Sequence, residues 1–203
     1  MTGTASYNTA IKQPGTATTF TDEATTNTSG NVYQVTDATK QIFDRATVPV
    51  VEDGGVPVVP DEINYLDGSV TLPAPPGGVV TISGKYIPMT VVATGKEFSV
   101  ELTATELDDT AFGDAGYRSR VIGLIDVSAT LRLNWANGFF IASLLARLPL
   151  VFEIKPGGAD PIMRAWMVIP DVGWSGDIDG IEDEEVSFAL DGAGIPNADF
   201  AFL

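Results

Sequence analysis

Glu106, Asp108, Asp109 and Asp114 crowd one short stretch, and a second acidic run follows at Asp177-Ile-Asp-Gly-Ile-Glu-Asp-Glu-Glu185. Paired carboxylates can serve as the acid/base couple of glycoside cleavage. That chemistry needs a sugar-binding cleft, usually with aromatic platforms. Trp135, Trp166 and Trp174 are available, but Trp135 and Trp166 sit on apolar strand patterns that read as core. The second run begins Asp-x-Asp-Gly, as a calcium loop does, and calcium takes several oxygen ligands from one tight turn. Its Gly180 comes two positions too early for the helix-flanked pattern, and a solvated acidic loop accounts for the same residues. Histidine and cysteine are absent. The usual general base, the commonest zinc ligand, thiolate nucleophiles and disulfides go with them. No nucleophile elbow, P-loop or dinucleotide fingerprint occurs. The expectation is a protein that is not an enzyme, with no catalytic residue, no cofactor and no metal.

The elements that carry these acids are mostly strands. In Glu97–Thr105, Phe98, Val100, Leu102 and Ala104 alternate with Ser99, Glu101, Thr103 and Thr105. From Arg120 to Trp135, Val121, Gly123, Ile125, Val127, Ala129, Leu131, Leu133 and Trp135 share one face. Arg120, Asp126, Ser128, Thr130, Arg132 and Asn134 mostly fill the other. A period of two means one buried face and one wet face. Glu52-Asp-Gly-Gly55 sits between Thr47–Val51 and Val56–Val59 and signals a hairpin, within a long loop or hairpin region over about 44–67. Prolines at 49, 57 and 60 mark edge strands. One helix is expected at about 138–148. Ile141, Leu144, Leu145 and Leu148 form its apolar stripe, Asn137 caps it and Pro149 ends it. Further strands are expected at Leu150–Ile154, Ile162–Pro170 and Glu185–Leu190.

Residues 1–30 are rich in threonine and poor in large apolar groups, and read as an extended N-terminal arm. Residues 31–203 then form a single domain. Many short strands with one helix predict a mainly β fold, a β-sandwich or partly closed barrel with a packed helix. The alternating segment Asn197–Leu203 reads as a strand docked on its own domain or a neighbour. No apolar run approaches the roughly eighteen residues of a membrane-spanning helix, so no membrane insertion is expected. The start of the chain has neither the basic opening nor the apolar core of a secretory signal. The 203 residues carry a net charge of −16, so the surface repels nucleic acid.

The connection Leu107-Asp-Asp-Thr-Ala-Phe-Gly-Asp114, then Tyr117-Arg-Ser-Arg120, then Gly123-Leu-Ile-Asp-Val-Ser128, resembles the central motif of siphophage major tail tube proteins. Val35-Thr-Asp-Ala38, Asp53-Gly-Gly55 and Val80-Thr-Ile-Ser-Gly-Lys-Tyr86 are similar to the family's N-terminal pattern. Ala115-Gly116-Tyr117 before the arginines departs from the common form, so Arg118 and Arg120 are both candidates for the family's arginine. The resemblance implies a β-sandwich with a packed helix. It implies a structural virion protein, the tail tube subunit of a long non-contractile tail, assembled in the host cytoplasm as stacked hexameric rings through which DNA passes without specific binding. It implies a tape-measure protein in the lumen, and tail terminator and tail-tip proteins at the ends. Asp109, Phe112, Gly113, Asp114, Arg118 and Arg120 become the candidate ring-contact loop, and Glu101 and Asp126 the candidate lumen-facing acids. Two alternatives stay open: another virion β-sandwich, such as a capsid decoration or adhesin domain, and a secreted calcium- or carbohydrate-binding sandwich.

Overall fold

A computed structural model describes residues 8–94, 97–108, 120–134, 138–155, 163–175, 183–192 and 199–202. Among them the chain is mainly β. The first strands are β1 (Asn8–Pro14), β2 (Thr18–Ser29), β3 (Val32–Val35), β4 (Val50–Asp53) and β5 (Val56–Val58). Then come β6 (Glu62–Asn64), β7 (Ser69–Thr71), β8 (Val80–Tyr86), β9 (Met89–Thr94), β10 (Glu97–Asp108) and β11 (Arg120–Asn134). Helix α1 (Phe139–Ala146) precedes β12 (Leu150–Lys155), β13 (Met163–Ser175), β14 (Asp183–Leu190) and β15 (Phe200–Phe202). In place of one domain over 31–203, the chain divides into two compact units. One comprises residues 1–95, 148–167 and 191–203; the other comprises residues 96–147 and 168–190.

The first unit holds a seven-stranded sheet in the order β5-β4-β8-β2-β3-β7-β6. It also holds the run β9-β1-β12-β13, with β15 on β13. All the registered pairs are antiparallel. Phe20, Val35, Phe43, Val51, Tyr65, Val70, Leu72, Val80 and Ile82 form the core on the seven-stranded sheet. Phe43 stacks on Phe20 at 5.7 Å and meets Tyr65 edge-on at 6.4 Å. A second cluster joins Ile42 and Leu66 to Val151, Trp166 and Ala201. Its rim is fastened by Arg45, whose guanidinium lies 4.6 Å over the Trp166 ring and donates to Asp199 at 2.7 Å and Asp191 at 2.8 Å. The Glu52–Gly55 signal forms the β4–β5 hairpin, with Gly54 and Gly55 both at positive φ, the backbone a tight hairpin turn requires. Gly68 is fixed more sharply still: a Cβ there would lie 2.7 Å from the Gln41 Cα.

The N-terminal stretch departs from the arm expectation, because residues 8–14 and 18–29 are strands inside both sheets. β1 lies between β12 and β9, with Ile11 fully buried, and β2 lies between β8 and β3. Threonine fits a pleated surface, and partners far along the chain supply the apolar contacts that the segment itself lacks. A bulge between Phe20 and Glu23 lets Asp22 take positive φ and donate its N–H to Ser83 Oγ at 2.9 Å.

The second unit holds β10, β11 and β14 side by side, with the later part of β13 beyond β14. α1 is shorter than expected and buries a different face. It spans Phe139–Ala146, its N-cap is Gly138, and Arg147 ends it in the left-handed region. Phe140 and Ser143 are the buried positions, whereas Leu145 is 79% exposed and Leu148 lies past the helix end at 42%. Five of its eight residues are Phe, Ile or Leu, so spacing alone did not decide the face. Phe188 does, by meeting Phe140 edge-on at 6.2 Å.

Candidate assembly face

The second unit's sheet separates apolar from polar by alternation, with the buried Glu184 of β14, opposite Leu133, the polar exception on the apolar side. Val127, Ala129, Leu131 and Leu133 of β11 are buried, and Val186 and Phe188 of β14 share their side. Opposite residues across an antiparallel pair lie on one face. The pairings Leu131↔Val186 and Ala129↔Phe188 therefore place both sets on the inner face, where Phe140 of α1 covers Phe188.

The other face is wet. Glu97 pairs with Arg132, Ser99 with Thr130, Glu101 with Ser128 and Thr103 with Asp126. On the far side of β11, Arg132 pairs with Glu185 and Thr130 with Ser187. Glu101 and Asp126 thus sit on one face as diagonal neighbours, and both are exposed. Ser99 and Thr130 share a hydroxyl hydrogen bond of 2.7 Å, and Asp126 accepts from the N–H of Val127 at 2.9 Å. Arg132 lies 3.9 Å from Glu97, a long, solvated pair that neutralises little. Beyond β14, Asp171, Gly173 and Ser175 of β13 line a shallow depression with Glu185 and Ser187, bordered by the half-exposed Trp174. Among the described residues, carboxylates and hydroxyls dominate this surface, and Arg132 is its one described cation. Such a face repels phosphate and stays hydrated.

At its edge the sheet is open. β10 runs for twelve residues, and among the described strands only β11 pairs with it. Its inward side is thinly covered: Phe98 and Val100 are half-buried, and Leu102 is 45% exposed. A long edge with free backbone donors and acceptors is a template for another strand. The register of the β10–β11 ribbon shifts between Ala104 and Glu106, so its far end is offset.

Of the sequence-derived ring-contact residues, Asp109, Phe112, Gly113, Asp114 and Arg118 lie outside the described residues. Arg120 opens β11 opposite Asp108, and its side chain is outside the description. Asp177, Asp179 and Glu182 are outside it too, while Glu184 is buried in β14 and Glu185 joins the wet face. Glu97, Arg132 and Ser187 were not singled out from the sequence as site residues, although alternation already placed Arg132 opposite the apolar positions; Glu185 was read there as the last residue of an acidic run and the first of a strand, and it lies inside β14.

No family model matches the chain, and no curated protein matches it. Among solved structures, it is similar to a chain in the virion of a native gene transfer agent particle, at 14% identity and a TM-score of 0.46, over 57% of this chain and 88% of that one. It is similar in the same measure to a chain in the tail of an empty particle of that kind with C6 symmetry, at 14% identity and a TM-score of 0.46, over 57% of this chain and 87% of that one.

Proposed function

We propose that this chain is a structural virion protein, the subunit of a phage-type tail tube. One observation carries the reading: a twelve-residue edge strand stands open beside a sheet whose outer face is carboxylate and hydroxyl. Closing that edge with the ribbon of a neighbouring copy continues the sheet from subunit to subunit, and a ring of copies leaves no edge exposed. In that ring the acidic face of the sheet lines the lumen, with Glu101 and Asp126 turned to it. DNA then passes without adhering, because phosphates meet no row of cations. The Leu107–Ser128 motif supports the same assignment. It brings hexameric rings that stack, a tape-measure protein in the lumen and terminator and tip proteins at the ends. The loop over Asp109–Arg120 contacts the adjacent subunit.

Negative-stain microscopy and sedimentation over a concentration series test the reading. Rings or filaments of stacked rings are expected as concentration rises. A chain that stays monomeric at every concentration, and in cells producing the whole particle, removes it.

A further inference from the structure

The sheet of the second unit has two ends, and β10 is only one of them. Its strands follow the order β10-β11-β14-β13, so residues 168–175 of β13 form the other end. β12 stops short of them, because its ladder with β13 covers Met163 to Met167. β15 pairs with Met163, Arg164 and Ala165 as well, so β12 and β15 flank β13 on opposite sides. Trp166 turns its backbone to the β15 side. Its N–H donates to the Asp199 carbonyl at 2.8 Å, and its carbonyl accepts from the Asp191 N–H at 2.9 Å. β14 ends at Leu190, one residue before Asp191, and so lies on that side too. The opposite side of residues 168–175 has no partner among the described strands. Pro170 fits this position, because proline brings no N–H to a ladder and within sheets sits on edge strands. It is the one proline in β10, β11, β13 and β14.

Two β10 edges laid together would close on themselves, whereas a ring needs two different edges on every copy. The four strands supply them in the right sense. β10 is antiparallel to β11, and β11 to β14. β14 is antiparallel to β13, since the chain leaves β13 at Ser175 and is back beside Trp166 by Asp191. β10 and β13 therefore run in opposite directions. Copies related by rotation about an axis roughly along the strands present them to each other as an antiparallel pair, the more stable kind. The edges of the first unit suit a joint less. β5 and β6 are three residues long, and Pro57 lies inside β5. β9 has six residues, and its register with β1 shifts between Ile11 and Lys12, a bulge of the kind that turns an edge away. Cover is also incomplete at both ends of the second unit's sheet: Leu102 on β10 is 45% exposed and Trp174 on β13 is 51% exposed.

We propose that in the ring β10 of one copy adds to the open side of residues 168–175 in the next, so that the ribbon closing it is β13–β14. The proposal rests on the reading that copies assemble into a ring, and it names the strand that receives β10. The joint keeps the wet face continuous: Glu97, Ser99, Glu101 and Thr103 of one copy follow Asp171, Gly173 and Ser175 of the next. It also covers the half-exposed Leu102 and Trp174.

The chain has no cysteine, so introduced thiols report the joint alone. Ser175→Cys in one preparation is mixed with Glu97→Cys, Ser99→Cys, Glu101→Cys or Thr103→Cys in another, all at exposed positions. The mixtures are assembled and treated with a bismaleimide spanning about 8 Å, the reach of a diagonal neighbour across two strands. Covalent dimers of the two variants are expected at one of these β10 positions or at two successive ones, which fixes the register. None is expected when a variant is assembled alone. Trp174→Lys should keep the melting midpoint and raise the concentration needed for rings about tenfold, because lysine on an edge discourages pairing. Assemblies in which no β10 position reaches residue 175, or in which β10 positions link to themselves, overturn the proposal and leave the tube reading standing. Wild-type assembly by Trp174→Lys does the same. A chain that never assembles removes the tube reading and the joint together.

Discussion

β2 and β10 are both twelve residues long, yet they solve the backbone problem in opposite ways. β2 buries only Phe20 among its side chains, but it has two partners in succession, β8 along Thr18–Ala24 and β3 along Thr25–Ser29. Its threonines add to the ladder: Thr25 donates to the Val80 carbonyl at 2.7 Å, and Thr26 and Thr36 share a bond of 2.9 Å. β10 has the alternating apolar pattern that β2 lacks, and it has one partner. Linkage to two strands of its own unit, then, and not apolar content, sets β2 apart from β10. A strand such as β2 holds its own unit together. A strand such as β10 has capacity left for a second chain.

The comparison breaks most directly at the N-terminus. Deleting residues 1–25 removes β1 from between β12 and β9 and most of β2 from between β8 and β3. The expected outcome is loss of the cooperative thermal transition. A truncated chain that melts as the full one does would show that these strands are dispensable. Next in size is the helix. Phe140→Ala should cost about 3–5 kcal/mol, because it empties a fully buried ring site, whereas Leu145→Ala should leave the denaturation midpoint almost unchanged. Equal effects of the two changes would mean that the helix buries the stripe read from the sequence after all.

The open edge is sharpened by a change that leaves the monomer alone. Lysine on an edge strand discourages pairing with another chain. Leu102→Lys should keep the melting midpoint and raise the concentration needed for assembly about tenfold. If Leu102→Lys assembles like the wild type, β10 is not the joining edge. The smallest effect on the subunit itself belongs to Glu101→Lys with Asp126→Lys. Both residues are exposed, so stability should hold. Assembled tubes should acquire a salt-sensitive affinity for DNA, measurable by co-sedimentation at two ionic strengths. DNA that ignores the altered tubes would place these residues away from the lumen.

How far these features were legible in the sequence depends on where their causes lie. β11 was readable because Val127, Ala129, Leu131 and Leu133 alternate within one segment, and so was the turn at Asp53-Gly-Gly55. Both are local signals. β1 and β2 were hidden because their stabilisation comes from strands far along the chain, such as β12 and β8. The buried face of α1 was hidden because Phe188, which selects it, lies more than forty residues away. The wet face was half legible: alternation gave Glu101 and Asp126 their direction, but only the register made them neighbours and added Glu185. Nothing in the spacing of Lys12, Glu153 and Arg164 announces that both cations meet the Glu153 carboxylate.

The pairing of Asn8 with Lys155 has a further consequence, in time and not in space. During synthesis β1 emerges first, and its partner β9 follows long before β12 does. At about 5–20 residues per second the ribosome needs on the order of ten seconds to deliver the rest of the ladder. Throughout that interval one side of β1 has no neighbour from its own chain. β1 is closed on that side only once β12 has emerged. Until then the free side of β1 is a template open to a strand of any neighbouring chain.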